Sequence, residues 1–327
     1  MKKRLMTTAF VFALILTACQ SMPSLPTASP QPTKIIVSTS TSVPTATSVP
    51  TSTALPLTPS PTSIPGKVVI PITSMKDTIP WLGSAFDPNS HPATMFYAFN
   101  TTKPPFDNKL VRQAFAAAVD RDAIAAIATR LYAKNVQPAT TLIPPQVLGR
   151  YLYNEVGVPF NPTKAKDLLV QAGYTDVSSF PKMTLYISAS TSDAPGLYQQ
   201  TADAIVKMWK DNLGIVVSVK SIGYVQDLAT YLKNNPAGYE IYRMGFALTT
   251  LQDMDPTSVI ETFSSKGELN GGNNYAHFSN AEFDQLLDNA RNESDPAKRQ
   301  LLYIDAERVL CEEQVAIIPL YYWTAHY

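Results

Sequence analysis

Beyond residue 66 the apolar positions switch repeatedly between strand and helix spacing. Residues 68–70 are a short β-branched run, and 80–92 is rich in turn formers. Residues 95–99 form a second apolar run, read as a strand. Asp107 or Asn108 then caps a helix to Val119, because Leu110, Val111, Ala114, Phe115 and Ala118 recur on one face. Asp120 caps a helix over 121–131. Asn161-Pro162 opens another, with Asn as the cap and Pro at the first helical position. Leu168, Leu169 and Ala172 lie along it, and Gly173 stops it. The series continues with a strand at 183–187, a helix at 195–213 closed by Gly214, and a strand at 215–220. A short helix at 225–232 and a strand at 239–244 follow. Ser279 and Glu282 are spaced as a capping box for a helix to Ala290. Asp295-Pro296 starts a helix to about Glu312, and 315–323 closes the chain as a strand. Strands alternating with helices predict a layered α/β domain with a mostly parallel or mixed sheet.

The first 66 residues carry neither period. Lys2, Lys3 and Arg4 precede an apolar run over 5–16, too short to span a bilayer comfortably and arranged as an export signal. It ends in Leu16-Thr17-Ala18-Cys19, which resembles the lipobox of bacterial lipoproteins. The resemblance implies cleavage after residue 18 and a lipid on Cys19. From 20 to 66 about two-thirds of the residues are Ser, Thr or Pro, with no aromatic and a single charge, Lys34. Such a stretch buries too little apolar surface to offset its ordering entropy, so it reads as a disordered tether. In an extended polyproline form it would reach about 140 Å. The expected organisation is signal 1–18, tether 19–66 and one folded domain, 67–327.

Charge and cysteine use narrow the chemistry. Formal net charge is zero and no basic run follows the signal, which argues against a nucleic-acid partner. Membrane contact is expected through the lipid alone. With Cys19 lipidated, Cys311 has no disulfide partner, and its apolar helical surroundings mark it as a core thiol. His91, His277 and His326 are isolated, and no cysteine pair has metal-ligand spacing. There is no Gly-x-Ser-x-Gly elbow or phosphate-cradling glycine loop. Neither an enzyme nor a cofactor or metal is indicated.

Several segments together resemble family 5 extracellular solute-binding proteins, the oligopeptide- and dipeptide-binding group serving ABC importers. They are Pro105-Phe106-Asp107-Asn108, Val111-Arg112-Gln113-Ala114 and Val119-Asp120-Arg121; then Asn161-Pro162 with Leu168-Leu169 and Ala172-Gly173-Tyr174. Asn273 to Tyr275, Phe283-Asp284 with Leu286-Leu287, and Ile318-Pro319-Leu320-Tyr321-Tyr322 continue the series. The resemblance covers residues 96–323. It implies a lobe of a type II periplasmic-binding-protein fold, binding a peptide or other small solute for delivery to an ABC permease at the extracytoplasmic face of the envelope. Family members are longer after the signal, so the N-terminal lobe is expected to be mostly missing. A truncated or split lobe without transport activity of its own, or a surface interaction lipoprotein, remains the alternative.

The site residues follow from that resemblance. The family carries an Asp shortly before an Asp-Pro pair that meets a peptide's amino group. Here Gly245 and Asp255-Pro256 match, Phe246 stands where a Trp is usual, and Asp253 is the residue placed to act as that Asp. A loop or cap role is the plainer reading of Asp253, and Asp255 reads as the cap before Pro256. Asn273, Asn274 and Tyr275 are offered as hydrogen-bonding groups for an extended ligand, although turn formation accounts for them too. Phe246, Tyr322 and Trp323 are offered as apolar walls, against a core reading for an aromatic strand. Arg112 reads as structural, pairing near its own helix.

Overall fold

The computed structural model describes residues 90–132, 136–190, 195–247, 256–269 and 273–326. The export signal, Cys19, the 20–66 segment, the strand expected at 68–70, Asp253 and Asp255 all lie outside them.

Among the described residues, six strands form one mixed sheet: β1 (Ser90–Phe99), β2 (Gln137–Pro138), β3 (Met183–Ile187), β4 (Val217–Ser221), β5 (Ile241–Ala247) and β6 (Ile317–His326). Their order is β2-β6-β1-β5-β3-β4. β3 runs parallel to both β4 and β5, whereas β1 is antiparallel to β5 and β6. The parallel β3–β4 pair requires a crossover, supplied by a 17-residue helix at Leu197–Leu213. Helices α1 (Lys109–Ala117), α2 (Arg121–Tyr132), α3 (Pro145–Leu148), α4 (Pro162–Gln171), α5 (Leu197–Leu213) and α6 (Val225–Asn234) come first in the chain. They are followed by α7 (Pro256–Ile260), α8 (Ser265–Leu269), α9 (Ala281–Asn292) and α10 (Pro296–Arg308), the last continuing as a π turn over Val309–Glu313.

Strand parity divides the core. Met95, Tyr97, Phe99, Leu185 and Ile187 face α1, α2, α4 and α5, where Phe115 and Trp209 are fully buried with ring centroids 5.0 Å apart. The Trp209 indole donates to Phe115 O at 3.0 Å, so its one polar atom is satisfied. Phe96, Ala98 and Tyr242 face the other layer, packed against Leu228, Phe283, Leu287 and Leu310. Each fully buried side chain of this size contributes about 1.5–3 kcal/mol.

Local signals behave as the sequence suggests in most places. Asn108 accepts from the Leu110 amide, Asp120 from Ala123, Asn161 from Lys164, and Asp295 from Ala297. Gly173 and Gly214 adopt φ of +95° and +76° at the ends of α4 and α5, a conformation that costs glycine little. One cap is corrected: Asn280, not Ser279, precedes α9, and its side chain accepts from the Phe283 amide at 2.9 Å. Asn280 has the extended backbone a cap needs, while Ser279 lies one residue outside, exposed. Helix α5 begins two residues later than expected, after Gly196 at φ +76°.

Arg112 is structural, but its reach exceeds its own helix. It is 4% exposed and donates to the carbonyls of Gln314, Val315, Phe106 and Asp107 at 2.8, 3.1, 2.5 and 3.3 Å. Arg121, 2% exposed, donates to Pro319 O at 2.8 Å. Two buried guanidinium groups thus fix the backbone entering β6, which carries a register shift opposite Met95 and Phe96. Burial lowers both Arg pKa values to about 10, so both remain charged at neutral pH.

Candidate ligand-binding site

The sheet is stepped. Leu185 and Tyr186 pair with Ile241 and Tyr242, so Arg243 is level with Ile187, the last residue of β3. Met244, Gly245, Phe246 and Ala247 continue past that end, accompanied by β1 through Ala93 and by β6 through Trp323. Beside this wall, at the carboxyl ends of β3 and β4 and the amino end of α5, lies an open cavity of about 340 Å³. Ser188, Ser190, Ser221 and Gln199 give it a polar lining, with Ile187 and Gly196. Crevices at the carboxyl ends of parallel strands are the usual ligand position in open α/β sheets.

Arg243 stands at the foot of the wall and is 4% exposed. Its Nη1 donates to Ser188 Oγ at 2.9 Å, its Nε approaches Met95 Sδ at 3.0 Å, and its Cζ lies 3.3 Å from the centroid of the Tyr198 ring on α5. No carboxylate among the described residues forms an ion pair with it. A buried guanidinium held by one hydroxyl, a thioether and an aromatic face keeps N–H donors in reserve. Burial also raises the Tyr97 hydroxyl pKa, with Arg243 opposing, so this phenol stays neutral beside the cation. The arrangement suits an anionic group entering from the step, sharing Ser188 and the amino end of α5. Sequence reasoning did not single out Arg243. The signal available was a charged residue at an apolar-parity position of β5.

The aromatic residues expected at the site separate onto two faces. Gly245 and Trp323 share the Arg243 face: a Cβ on Gly245 would stand 3.2 Å from Trp323 Cη2 and 3.2 Å from Thr94 O. Glycine there lets the half-exposed indole lie across the strand. Phe246 points to the opposite face, its ring centroid 5.5 Å from that of Phe96. Tyr322 is buried there too, its hydroxyl donating to Thr141 O at 2.8 Å. Burial pushes that hydroxyl well above its usual pKa.

The Asn273–Tyr275 stretch belongs to that second face. Asn274 is 2% exposed and closes a turn, donating to Phe278 O at 2.9 Å and accepting from the Phe278 amide at 3.3 Å. Tyr275 donates to the exposed Asn273 side chain at 2.9 Å and packs against Tyr242. The structure therefore brings Trp323 to the step with Arg243 and keeps Phe246, Tyr322 and Asn273–Tyr275 on the other face.

Comparison with known proteins fits this geometry. The sequence profile of bacterial extracellular solute-binding proteins, family 5 Middle, matches residues 72–271. The chain belongs to that family. This family 5 chain is 35% identical over 232 residues to the "Probable deoxycholate-binding periplasmic protein YgiS" of Escherichia coli (strain K12), covering 69% of this chain and 39% of the relative. It is 33% identical over 236 residues to the oligopeptide-binding protein OppA of Bacillus subtilis (strain 168), covering 70% and 40%. It therefore spans about 40% of these relatives' length. Among solved structures, the murein tripeptide binding protein MppA of Escherichia coli superposes with a TM-score of 0.57 at 25% identity, covering 76% of this chain and 47% of that one. A dipeptide binding protein from Pseudoalteromonas sp. SM9913, in complex with Met-Leu, gives a TM-score of 0.58 at 26% identity over 72% and 43%. The fold is that of a type II periplasmic-binding-protein lobe, with a mixed sheet and flanking helices.

Proposed function

We propose that this chain is a solute-binding component of an ABC importer, taking a peptide or other small solute that carries an anionic group, and that the anionic group docks at Arg243. The observation that carries the reading is the buried guanidinium, which no carboxylate among the described residues pairs with, set beside a polar cavity at the ends of β3 and β4. Trp323 supplies an apolar wall at the same step, and Asp253 remains the choice for a solute's ammonium end. The family relationship supports binding, not covalent chemistry, as the task. The described lobe offers one wall, so a solute stays half wetted and association entropy of at least about 4 kcal/mol is poorly offset. Binding by one such lobe is accordingly weak.

The test is an NMR titration with tripeptides and their C-terminal amides. Fast-exchange shifts at Ser188, Gln199 and Arg243 that need the free carboxylate are expected. Equal shifts from the amides, or none at the step, would sink the assignment.

The same reading places the protein on the extracytoplasmic face, held by lipid on Cys19 after removal of residues 1–18, with 20–66 as the tether. Supporting it are the basic start, the short apolar run and the Leu-Thr-Ala-Cys order. Mass spectrometry of the membrane fraction from the native host checks it: an acylated Cys19 at the mature N-terminus is expected, and an unmodified Cys19 rejects it. Among the described residues no helix is long and apolar enough to cross a membrane.

A further inference from the structure

Glu307 is a carboxylate that the proposed site does not use. It sits on α10 with zero exposure. One oxygen accepts the Leu142 amide at 2.8 Å and the Cys311 thiol at 3.3 Å, and the other accepts the Ile143 amide. No cation among the described residues pairs with it. The segment it grips, residues 139–143, joins β2 to α3. That segment is also tied to the sheet: Ala139 N–H donates to Leu320 O at 3.1 Å, Thr94 Oγ1 donates to Leu142 O at 2.7 Å, and the Tyr322 hydroxyl donates to Thr141 O at 2.8 Å. Thr94 pairs with Tyr322 on one side and Phe246 on the other. The segment therefore rests against the wall that rises above the step, on its Phe246 face.

The surrounding titratable groups are settled near neutral pH. Burial pushes the Cys311 thiol and the Tyr322 hydroxyl well above their usual ranges, and burial also raises Tyr151, from the loop after α3. Arg121, from α2, acts on Cys311 and stays charged. Glu307 differs, because burial raises its carboxyl to about 7 while the two amides and the thiol oppose that rise.

We propose that Glu307 is a proton-operated latch: as a carboxylate it pins the Leu142 and Ile143 amides, and as an acid it releases one of them and loosens residues 139–143 against the β1–β6 end of the sheet. The proton comes from solvent and goes onto one carboxylate oxygen, and no bond to carbon changes. That oxygen becomes a donor, and the acceptor already at hydrogen-bond distance is Cys311 Sγ, a weak one. The amide it faced then loses most of its bond. Two consequences run in opposite directions. Burial favours the neutral acid, so the fold as a whole gains stability on the acid side of the transition while this segment loosens. Acid unfolding would weaken both together.

Amide hydrogen exchange on the full chain tests the latch, with rates corrected for the intrinsic effect of pH. Protection of Leu142, whose amide faces the oxygen beside Cys311 Sγ, should fall about tenfold on the acid side, the ratio set by one hydrogen bond of ordinary net strength, and that of Ile143 by less. Its midpoint should match the 13C titration of the Glu307 carboxyl in glutamate-labelled wild-type protein. Glu307→Gln should hold the low protection at every pH. Flat protection in the wild type, a carboxyl midpoint in the ordinary carboxylate range, or a variant that still follows pH would each overturn the proposal. The two wild-type measurements decide it even where the variant does not fold.

Discussion

Replacing Arg243 by Met should make the lobe more stable while removing its response to an anionic solute. The guanidinium is 4% exposed and has one hydroxyl bond, to Ser188 at 2.9 Å, a thioether contact and a Tyr198 face. A charged hydrogen bond contributes about 1.5–3 kcal/mol, and a partly desolvated cation–π contact about 0.5–2. Against these stands a desolvation penalty of several kcal/mol for a buried ion that has no counter-charge among the described residues. A methionine of similar length removes that penalty and adds about 1.5–3 kcal/mol of apolar burial. The expected balance is a gain of roughly 1–3 kcal/mol, or about 2–10 °C in Tm for a domain of this size. Urea unfolding followed by circular dichroism gives the stability, and the peptide titration gives the response. The reasoning is refuted by a variant that is less stable by more than about 1 kcal/mol, or by one that still discriminates a free carboxylate from its amide. Stability held back at a site in this way is the usual trade-off of a binding position.

Arg112→Met tests the converse, because an equally buried guanidinium there serves four carbonyls; a loss of about 3–5 kcal/mol in urea unfolding is expected. Glu307, raised to about 7 by burial, keeps its proton in the fold where the unfolded chain has lost it. Between about pH 4.5 and 7 the native state therefore binds more protons, so stability falls as pH rises, by at most about 3 kcal/mol from this group. Glu307→Gln should flatten that part of the pH–stability curve. Asn280→Ala should cost about 1 kcal/mol and Ser279→Ala almost nothing, as thermal unfolding of the two variants will show.

The sequence by itself determined what rests on neighbours along the chain. Caps at Asn108, Asp120, Asn161 and Asp295 were legible because each side chain bonds an amide two or three residues away. The stops at Gly173 and Gly214 were legible because only glycine takes a positive φ at little cost. Even the error at Ser279 was a shift of a single residue. The family was also readable, because its motifs are short segments in a fixed order. The strand order and the site were left to the tertiary structure. Parity implies that Arg243 and Phe246 face opposite ways, but not which layer covers each. Trp323 reaches Gly245 across β1, Arg243 meets Ser188 across 55 positions of sequence, and Glu307 grips amides more than 160 positions away. Such contacts depend on which strands pair and how far each extends past its neighbour. Packing of the whole sheet sets both, so no local pattern of residues encodes them.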